Sequence, residues 1–289
     1  MSNPNLPAKI DNIADLVNKY ELFVLDIFGV IHDGNEPYPK MMDALKTIKL
    51  AGKQICFLSN APRRADKAEA VLNKFGIDDD FCDYVLTSGE YAFHHFVSHS
   101  EAGEKFKYYY LGPEKDRDLL NGSGHQEVSD PTAADFAIAT GLDLGQQVSD
   151  IADQLEALKA AKLKLYCINP DKTVHKQSGL VHICAGSVAA EYSKMGGEVE
   201  YFGKPYQGIY EELIAEFLLP KNKILCVGDG LETDIKGANQ FGLDSLFITS
   251  GMFSPELEQK IGEDPDPEKL AALIAKHGWQ PNYYASLFA

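Results

Sequence analysis

The sequence predicts an α/β protein with a Rossmann-like core built on a parallel sheet. Two observations support this prediction. Apolar runs of strand length end in polar residues, as Leu22-Phe23-Val24-Leu25 does at Asp26, and the segments between such runs place apolar residues at helical spacing. Strands that alternate with helices are typical of βαβ units, in which neighbouring strands are parallel.

Length and charge limit what such a protein can be. At 289 residues with 45% hydrophobic content, the chain exceeds one average domain and can bury a full core. Its formal net charge of −16 argues against binding a nucleic-acid backbone. No apolar run is long enough to cross a membrane, and the first twenty residues lack a signal-peptide core. We therefore expect a cytoplasmic protein whose partners are neither nucleic acids nor membranes.

Three helices are expected before residue 80. An amphipathic helix is predicted near the start, where apolar residues recur at helical spacing: Ile10, Ile13, Ala14 and Val17. Two more are predicted over 42–50 and 63–75, each followed by a glycine. The 63–75 helix begins just after Ser59-Asn60, so its N-terminus is expected to face a bound anion.

The middle of the chain predicts a second small α/β domain. Strands are expected over 107–111, 135–139 and 163–168, with helical segments between them. We expect residues 88–200 to form this inserted domain. The core domain would then comprise residues 1–87 and 201–289.

Two strands of the predicted core end in carboxylates. Asp26 follows the first apolar run, and Asp229 and Asp234 follow a second run at 223–226. Since ligands bind beyond the carboxyl ends of parallel strands, these side chains are placed to act on a ligand. Each aspartate alone could merely cap a turn. Together they would repel one another unless a divalent cation neutralised them.

Two further segments fit a phosphate site. Ser59 and Asn60 end a third apolar run, and Lys204 lies between Gly203 and Pro205. A hydroxyl, backbone N–H groups and a lysine are donors that suit phosphoryl oxygens.

In this order, Asp26 in D-I-F-G-V, Ser59-Asn60, Lys204 in G-K-P and the G-D-G-L-E-T-D string resemble the four motifs of the haloacid dehalogenase-like (HAD) superfamily. The long interval between the second and third motifs resembles the branch with a large inserted cap domain. That branch contains nitrophenyl, phosphoglycolate, nucleotide and sugar phosphatases. The resemblance implies a HAD core with an inserted α/β cap.

The resemblance also implies roles for individual residues. Asp26 would be the nucleophile that forms an aspartyl-phosphate, and Lys204 would act with Ser59 and Asn60 on the phosphoryl oxygens. The implied Mg²⁺ ligands are Asp26, the backbone carbonyl of Phe28, Asp229 and Asp234.

Phe28 departs from the family pattern, which has a second aspartate at this position as general acid and base. A phenylalanine transfers no proton, and losing a positioned acid typically costs about 10²–10⁴ in rate. Three interpretations remain open. Another group donates the proton (His32, Asp33, Asp143 or Asp171), only esters with good leaving groups are hydrolysed, or the protein is a pseudo-phosphatase. His32 beside Asp33-Gly34 could equally be a turn-stabilising side chain.

These observations predict a Mg²⁺-dependent phosphate monoester hydrolase acting on a small phosphorylated metabolite. The expected substrate-reading residues of the cap are small and polar and would suit a sugar phosphate, a nucleoside monophosphate or a cofactor phosphate: Asp143, Asn169, Asp171 and Ser187. Sugar phosphates rank first by analogy with the capped branch that the chain resembles. The alternative is a catalytically impaired pseudo-phosphatase that binds Mg²⁺ and a phosphorylated ligand. The aromatic tail from Trp279 onward is expected to dock on the core or on a second subunit, which leaves a homodimer open.

Overall fold

A computed structural model describes residues 6–175 and 181–289 of the chain. Its strands are β1 (Ala8–Lys9), β2 (Leu22–Leu25), β3 (Gln54–Ser59), β4 (Tyr84–Thr87), β5 (Lys107–Leu111), β6 (Gln126–Val128), β7 (Phe136–Ala139), β8 (Leu165–Cys167), β9 (Thr173–His175), β10 (Val181–Ile183), β11 (Val199–Tyr201), β12 (Ile224–Gly228), β13 (Asp244–Ile248) and β14 (Tyr283–Ala285). Its helices are α1 (Met41–Leu50), α2 (Ala65–Lys74), α3 (Ser88–Glu101), α4 (Ala152–Ala160), α5 (Ala185–Lys194), α6 (Gln207–Phe217), α7 (Lys236–Phe241) and α8 (Pro267–His277).

The chain divides into two compact units. The first contains the described residues of the ranges 1–59, 69–86 and 210–289, and the second those of 60–68 and 87–209. Residues 60–68, which the sequence assigned to the core, group with the second unit because Arg64 and Ala65 hydrogen-bond to Glu90 on α3. The domain limits at 87/88 and 200/201 stay predictions.

The first unit is built on a seven-stranded sheet of order β1-β14-β13-β12-β2-β3-β4. The central strand β2 pairs in parallel with β12 and β3, which places Leu25 opposite both Val227 and Phe57. Both β2 and β12 are buried along their whole length, as expected of a parallel sheet covered on both faces. The predicted α/β fold with a large parallel sheet is confirmed.

The predicted N-terminal helix is wrong. Ala8 and Lys9 form strand β1 beside Tyr283 and Tyr284, and only a 3-10 turn follows at Ile13–Asp15. The apolar residues of this segment are nevertheless buried, Ala14 excepted. Pairing with β14, which is distant in sequence, overrides the local helical pattern. The expectation that the aromatic tail docks on the core is confirmed, because β14 also pairs with β13.

The second unit contains a five-stranded sheet of order β11-β8-β7-β5-β6, whose described pairings are all parallel. An antiparallel hairpin, β9 and β10, accompanies it. Aromatic residues of α3 and the sheet form one of its cores, in which Phe96 stacks on Phe136 with ring centroids 4.9 Å apart. The three strands predicted for this region are present as β5, β7 and β8.

Among the helices that the structure describes, none combines the length and the apolar character needed to cross a membrane.

Candidate active site

Three carboxylates of the first unit converge beyond the ends of β2 and β12. Asp26, Asp229 and Asp234 each offer an oxygen, and these oxygens all lie within 4.8 Å of one another. Asp229 and Asp234 are buried, and Asp26 is partly buried. The structure therefore brings together the three aspartates that the sequence singled out.

Parallel pairing positions the first of them. The backbone N–H of Asp26 donates to the Val227 carbonyl over 2.9 Å, which extends the β2–β12 ladder by one residue. The chain then turns through Gly29, whose φ of +91° lies in the region that favours glycine. A Cβ added at Gly29 would lie 1.9 Å from Oδ2 of Asp229, so this close approach excludes any side chain.

Local backbone donors hold the other two carboxylates. Asp229 accepts a hydrogen bond from the Met252 N–H, which is 2.6 Å from its Oδ2. Asp234 lies on a π-helical turn, Leu231–Ile235, and its Oδ2 accepts from the Gly230 N–H over 3.0 Å. Such donors orient the side chains but are themselves neutral and bring no positive charge.

The chemistry of this group fits a hard divalent cation. Carboxylate oxygens are the ligands that Mg²⁺ prefers, and three of them within 4.8 Å repel one another in the absence of a cation. Asp26, Asp229 and Asp234 are the residues that would hold it. A ligand role for the Phe28 carbonyl stays a prediction.

Phe28 and His32 pack together in the loop that follows Asp26. The two rings meet edge-on with centroids 5.9 Å apart, and the Phe28 side chain keeps 40% exposure. His32 is buried, also contacts Phe75, and accepts a hydrogen bond at Nδ1 from the Gly34 N–H. Burial lowers the pKa of His32, with Asp33 opposing the change. These contacts are those of a turn-stabilising side chain, the second of the two interpretations of His32.

Tyr38 is a neighbour of the carboxylates that sequence reasoning missed. Burial raises its pKa to about 12, and the negative charges of Asp229 and Asp33 add to this effect. Its backbone N–H donates to the Ile31 carbonyl, which closes the loop after Asp26. A tyrosine a dozen residues after the aspartate gives no local pattern that would have identified it.

In the second unit, Lys204 is held by Asn60. Both residues are buried, with 3% and 5% exposure. The Asn60 amide accepts from the Lys204 N–H over 2.7 Å and donates to the Lys204 carbonyl over 3.0 Å. Ser59, the residue before Asn60, ends β3 and is partly buried.

The N-terminus of α2 contacts a carboxylate of the protein itself, that of Glu90. The Ala65 N–H donates to the Glu90 carboxylate over 2.7 Å, and Arg64 contacts both Glu90 oxygens at 2.7 and 2.9 Å. Burial alone would raise the pKa of Glu90, but hydrogen bonds from His94, Arg64 and the Ala65 N–H lower it well below its ordinary value. The helix N-terminus expected to face a bound phosphate thus contacts Glu90.

Three of the four residues predicted to read the substrate lie near one another. Asn169 accepts at Oδ1 from the Asp171 N–H, Asp171 accepts from the Gly186 N–H, and the Ser187 hydroxyl donates to the Lys172 carbonyl. Asp171 also accepts from the Asn60 amide over 2.9 Å. Asp143 lies in an exposed turn closed with Gln146, two residues after Gly141, which forms a β-bridge with Cys184. Contact of these four residues with a substrate stays a prediction.

Comparisons with known proteins agree with this geometry. The chain matches the family described as haloacid dehalogenase-like hydrolase over residues 23–126, and the related HAD-hydrolase-like family over residues 201–275. The two matches include all four motifs.

Similar proteins extend over most of the chain. D-glycerol 3-phosphate phosphatase of Mycobacterium tuberculosis is 26% identical, covering 92% of this chain and 76% of its own length. Sugar-phosphatase AraL of Bacillus subtilis is 26% identical (79% and 82%), and 4-nitrophenylphosphatase of Schizosaccharomyces pombe is 25% identical (90% and 95%).

A solved structure gives the same result. A haloacid dehalogenase-like hydrolase from Brucella suis 1330 superposes with a TM-score of 0.81 at 27% identity, covering 97% of this chain and 100% of that one. Together with the family matches and the carboxylate group, this confirms the resemblance inferred from the four motifs. The chain belongs to the haloacid dehalogenase-like hydrolases.

Proposed function

We propose that the protein is a Mg²⁺-dependent phosphate monoester hydrolase that acts on small phosphorylated metabolites through an aspartyl-phosphate on Asp26. The observation that supports this most directly is the group of three carboxylates within 4.8 Å at the ends of β2 and β12. Such a group is costly to maintain in a protein unless it holds a cation.

Asp26 acts as the nucleophile. One of its carboxylate oxygens attacks phosphorus, the ester P–O bond breaks, and the leaving group departs with the electron pair of that bond. Water then attacks the aspartyl-phosphate, which releases inorganic phosphate and restores the carboxylate. Asp26, Asp229 and Asp234 would hold a divalent cation, which would supply positive charge to the phosphoryl oxygens. Ser59 and Lys204 supply a hydroxyl and a positive charge to the same phosphoryl group.

Phe28 sets the leaving-group preference. Because its ring cannot donate a proton, an alkoxide leaving group must take its proton from water or depart unprotonated. Esters of acidic alcohols and phenols are therefore hydrolysed faster than esters of simple polyols. Sugar phosphates remain the first substrate class to test, since two of the similar proteins are named a sugar-phosphatase and a D-glycerol 3-phosphate phosphatase.

The test is phosphate release from nitrophenyl phosphate and from a panel of sugar, nucleotide and cofactor phosphates, with Mg²⁺ and with a chelator. The wild type should turn over only with Mg²⁺, and Asp26→Asn should be inactive. Asp43→Asn, a matched substitution at an exposed position of α1, should retain full activity. Full turnover by Asp26→Asn would refute the nucleophile assignment.

Phe28→Asp distinguishes the hydrolase from a pseudo-phosphatase. In a hydrolase the variant should gain most on poor leaving groups, about 10²–10⁴-fold, because it restores a proton donor. If the wild type releases no phosphate from any ester while Phe28→Asp does, the pseudo-phosphatase is favoured. The slope of log rate against leaving-group pKa, compared between the two proteins, measures the difference.

A further inference from the structure

We infer that Asn60 is a positioning residue whose side-chain amide fixes the backbone of Lys204 and the carboxylate of Asp171, and that it does not contact the phosphoryl group through this amide. The inference deepens the proposed function, on which it rests for the identity of the ligand. It concerns contacts within the second compact unit alone.

Protein partners use the whole hydrogen-bonding capacity of this amide. A side-chain amide has two N–H donors and an oxygen with two lone pairs. Nδ2 of Asn60 donates to the Asp171 carboxylate over 2.9 Å and to the Lys204 carbonyl over 3.0 Å. Its Oδ1 accepts from the Lys204 N–H over 2.7 Å and from the Ser88 hydroxyl over 3.3 Å. No donor remains for a phosphoryl oxygen.

Two of these hydrogen bonds hold the backbone of Lys204. Asn60 binds the N–H and the carbonyl of Lys204, as a neighbouring strand would, although the two residues are 144 positions apart in the sequence. Lys204 is 97% buried, so few other conformations are open to its backbone. Asn60 therefore fixes the backbone position from which the Lys204 side chain extends.

Gly203 allows the Asn60 side chain to approach the backbone of Lys204 this closely. Its φ is +124°, and an added Cβ would lie 2.6 Å from Oδ1 of Asn60 and 2.1 Å from the Ser88 hydroxyl oxygen. Any side chain here would push the amide away from the lysine backbone. The glycine before Lys204 is required by Asn60 and Ser88 as much as by its own backbone conformation.

Asp171 is held independently on its other side. Its N–H donates to the Asn169 side chain over 3.1 Å, and its carbonyl accepts from the Gly186 N–H over 3.1 Å. Through its bond to Asn60, this loop is coupled to the lysine loop. A shift at either loop therefore reaches the other through one buried amide.

Exchange of the two side chains tests the inference. Asn60→Asp keeps the shape of residue 60 but removes both donors and sets two carboxylates against each other. Adding Asp171→Asn restores a donor–acceptor pair with its direction reversed. We would measure the binding of inorganic phosphate in the presence of Mg²⁺ by calorimetry, thermal unfolding, and kcat and KM on nitrophenyl phosphate.

A positioning role predicts rescue. Asn60→Asp should weaken phosphate binding about 10- to 100-fold, since its donors to Asp171 and to the Lys204 carbonyl are lost. The exchanged double variant should recover about 3- to 10-fold of this loss, because it restores the contact with position 171 but not the donor to the Lys204 carbonyl. Asp171→Asn alone should bind phosphate at least about 3-fold more tightly than Asn60→Asp does, because its amide oxygen still accepts from Asn60. The matched control Asn121→Asp, in an exposed turn of the same unit, should change neither binding nor turnover.

A direct phosphate contact predicts no rescue. A carboxylate at position 60 would then repel the phosphate whatever occupies position 171, so a double variant no better than Asn60→Asp, or one that does not fold, overturns the inference. Failure of the proposed function gives a different result. A wild type that binds phosphate but hydrolyses no ester would refute the hydrolase, and the exchange would still decide the role of Asn60.

Discussion

At the residue scale, an aromatic ring at position 28 packs edge-on against His32 where relatives of this kind are expected to carry a carboxylate. The ring is 40% exposed, so the protein leaves a large apolar group open to the surroundings of the nucleophile. A buried histidine that stabilises the loop keeps that ring in place. The leaving-group preference proposed above follows because this ring offers no proton to the leaving group.

Gly29 gives the sharpest prediction at this scale. Alanine at this position would meet both a positive φ and a carboxylate oxygen 1.9 Å from its Cβ. We expect Gly29→Ala to displace Asp229 and to raise the Mg²⁺ concentration needed for half-maximal activity by at least about 10-fold, since a ligand shift of about 1 Å costs this much or more.

Gly52→Ala is the matched control for that substitution. Gly52 also has a positive φ, +70°, but nothing lies within 4 Å of an added Cβ. Gly52→Ala should therefore lower the free energy of unfolding only by the backbone strain, about 1–2 kcal/mol, and leave the Mg²⁺ requirement unchanged. If Gly29→Ala and Gly52→Ala needed the same Mg²⁺ concentration for half-maximal activity, the role assigned to Gly29 would be contradicted.

Some residues of the candidate site could be predicted from the sequence, whereas the contacts of others could not, and the reason is physical. Asp26 and Asp229 could be predicted because each directly follows its own strand, and parallel strands bring their ends together. The contacts of Asn60 could not, because they depend on partners 28, 111 and 144 residues away. The prediction that Asn60 binds phosphate came from its place beside Ser59 in the second motif of the family pattern.

At the element scale, Glu90 joins the start of α2 to the first turn of α3. Its carboxylate accepts from the Ala65 N–H and pairs with Arg64 and His94. The Arg64 guanidinium also lies 3.4 Å from the centre of the Phe93 ring. One acidic residue thus satisfies a helix N-terminus that would otherwise attract an external anion.

This arrangement predicts a pH-dependent contribution to stability. Because the pKa of Glu90 is lower in the folded state than its ordinary value of 4.5, its stabilisation is fully present above that value and is lost as the pH falls below it. At pH 7 we expect Glu90→Gln to cost about 1–2 kcal/mol, the lower part of the range for hydrogen bonds to charged groups, because Arg64 is partly exposed.

Chemical denaturation from pH 7 down to pH 3 checks this expectation. The difference in free energy of unfolding between wild type and Glu90→Gln should shrink as the pH falls below about 4.5. Glu101→Gln, at an exposed position near the end of the same helix, should show no such trend. A difference that is constant with pH would rule out a charged Glu90 as the source of the stabilisation.

Elements with local patterns were predicted closely, and one that depends on distant pairing was not. The helices expected over 42–50 and 63–75 are observed as Met41–Leu50 and Ala65–Lys74. The N-terminal segment instead forms β1, because its partner β14 comes from residues 283–285. A sequence window of twenty residues contains nothing about that partner.

At the scale of the whole molecule, a cation bound by the carboxylate group would add to the stability of the folded protein. A ligand that binds only the folded state stabilises it by about 2.7 kcal/mol at 100 times its Kd. We expect Mg²⁺ to raise the temperature of unfolding of the wild type, and we expect Asp229→Asn to remove most of this increase. The variant should also be the more stable protein in a chelator, because one of three repelling charges is gone.

Thermal unfolding over a Mg²⁺ titration measures both effects. Asp43→Asn, at an exposed position of α1 outside the carboxylate group, should respond to Mg²⁺ as the wild type does. Equal Mg²⁺ responses of wild type and Asp229→Asn would show that the cation binds elsewhere.

The pairing of β2 with β12 also has a consequence for the timing of synthesis. The ribosome makes Asp26 early, but the strand that lies beside β2 and carries Asp229 follows some 200 residues later. At the usual 5–20 residues per second, that interval is about 10–40 s. During it the nascent chain would have the proposed nucleophile without the proposed metal ligands Asp229 and Asp234, so we expect polypeptides that end before residue 229 to hydrolyse no phosphate esters.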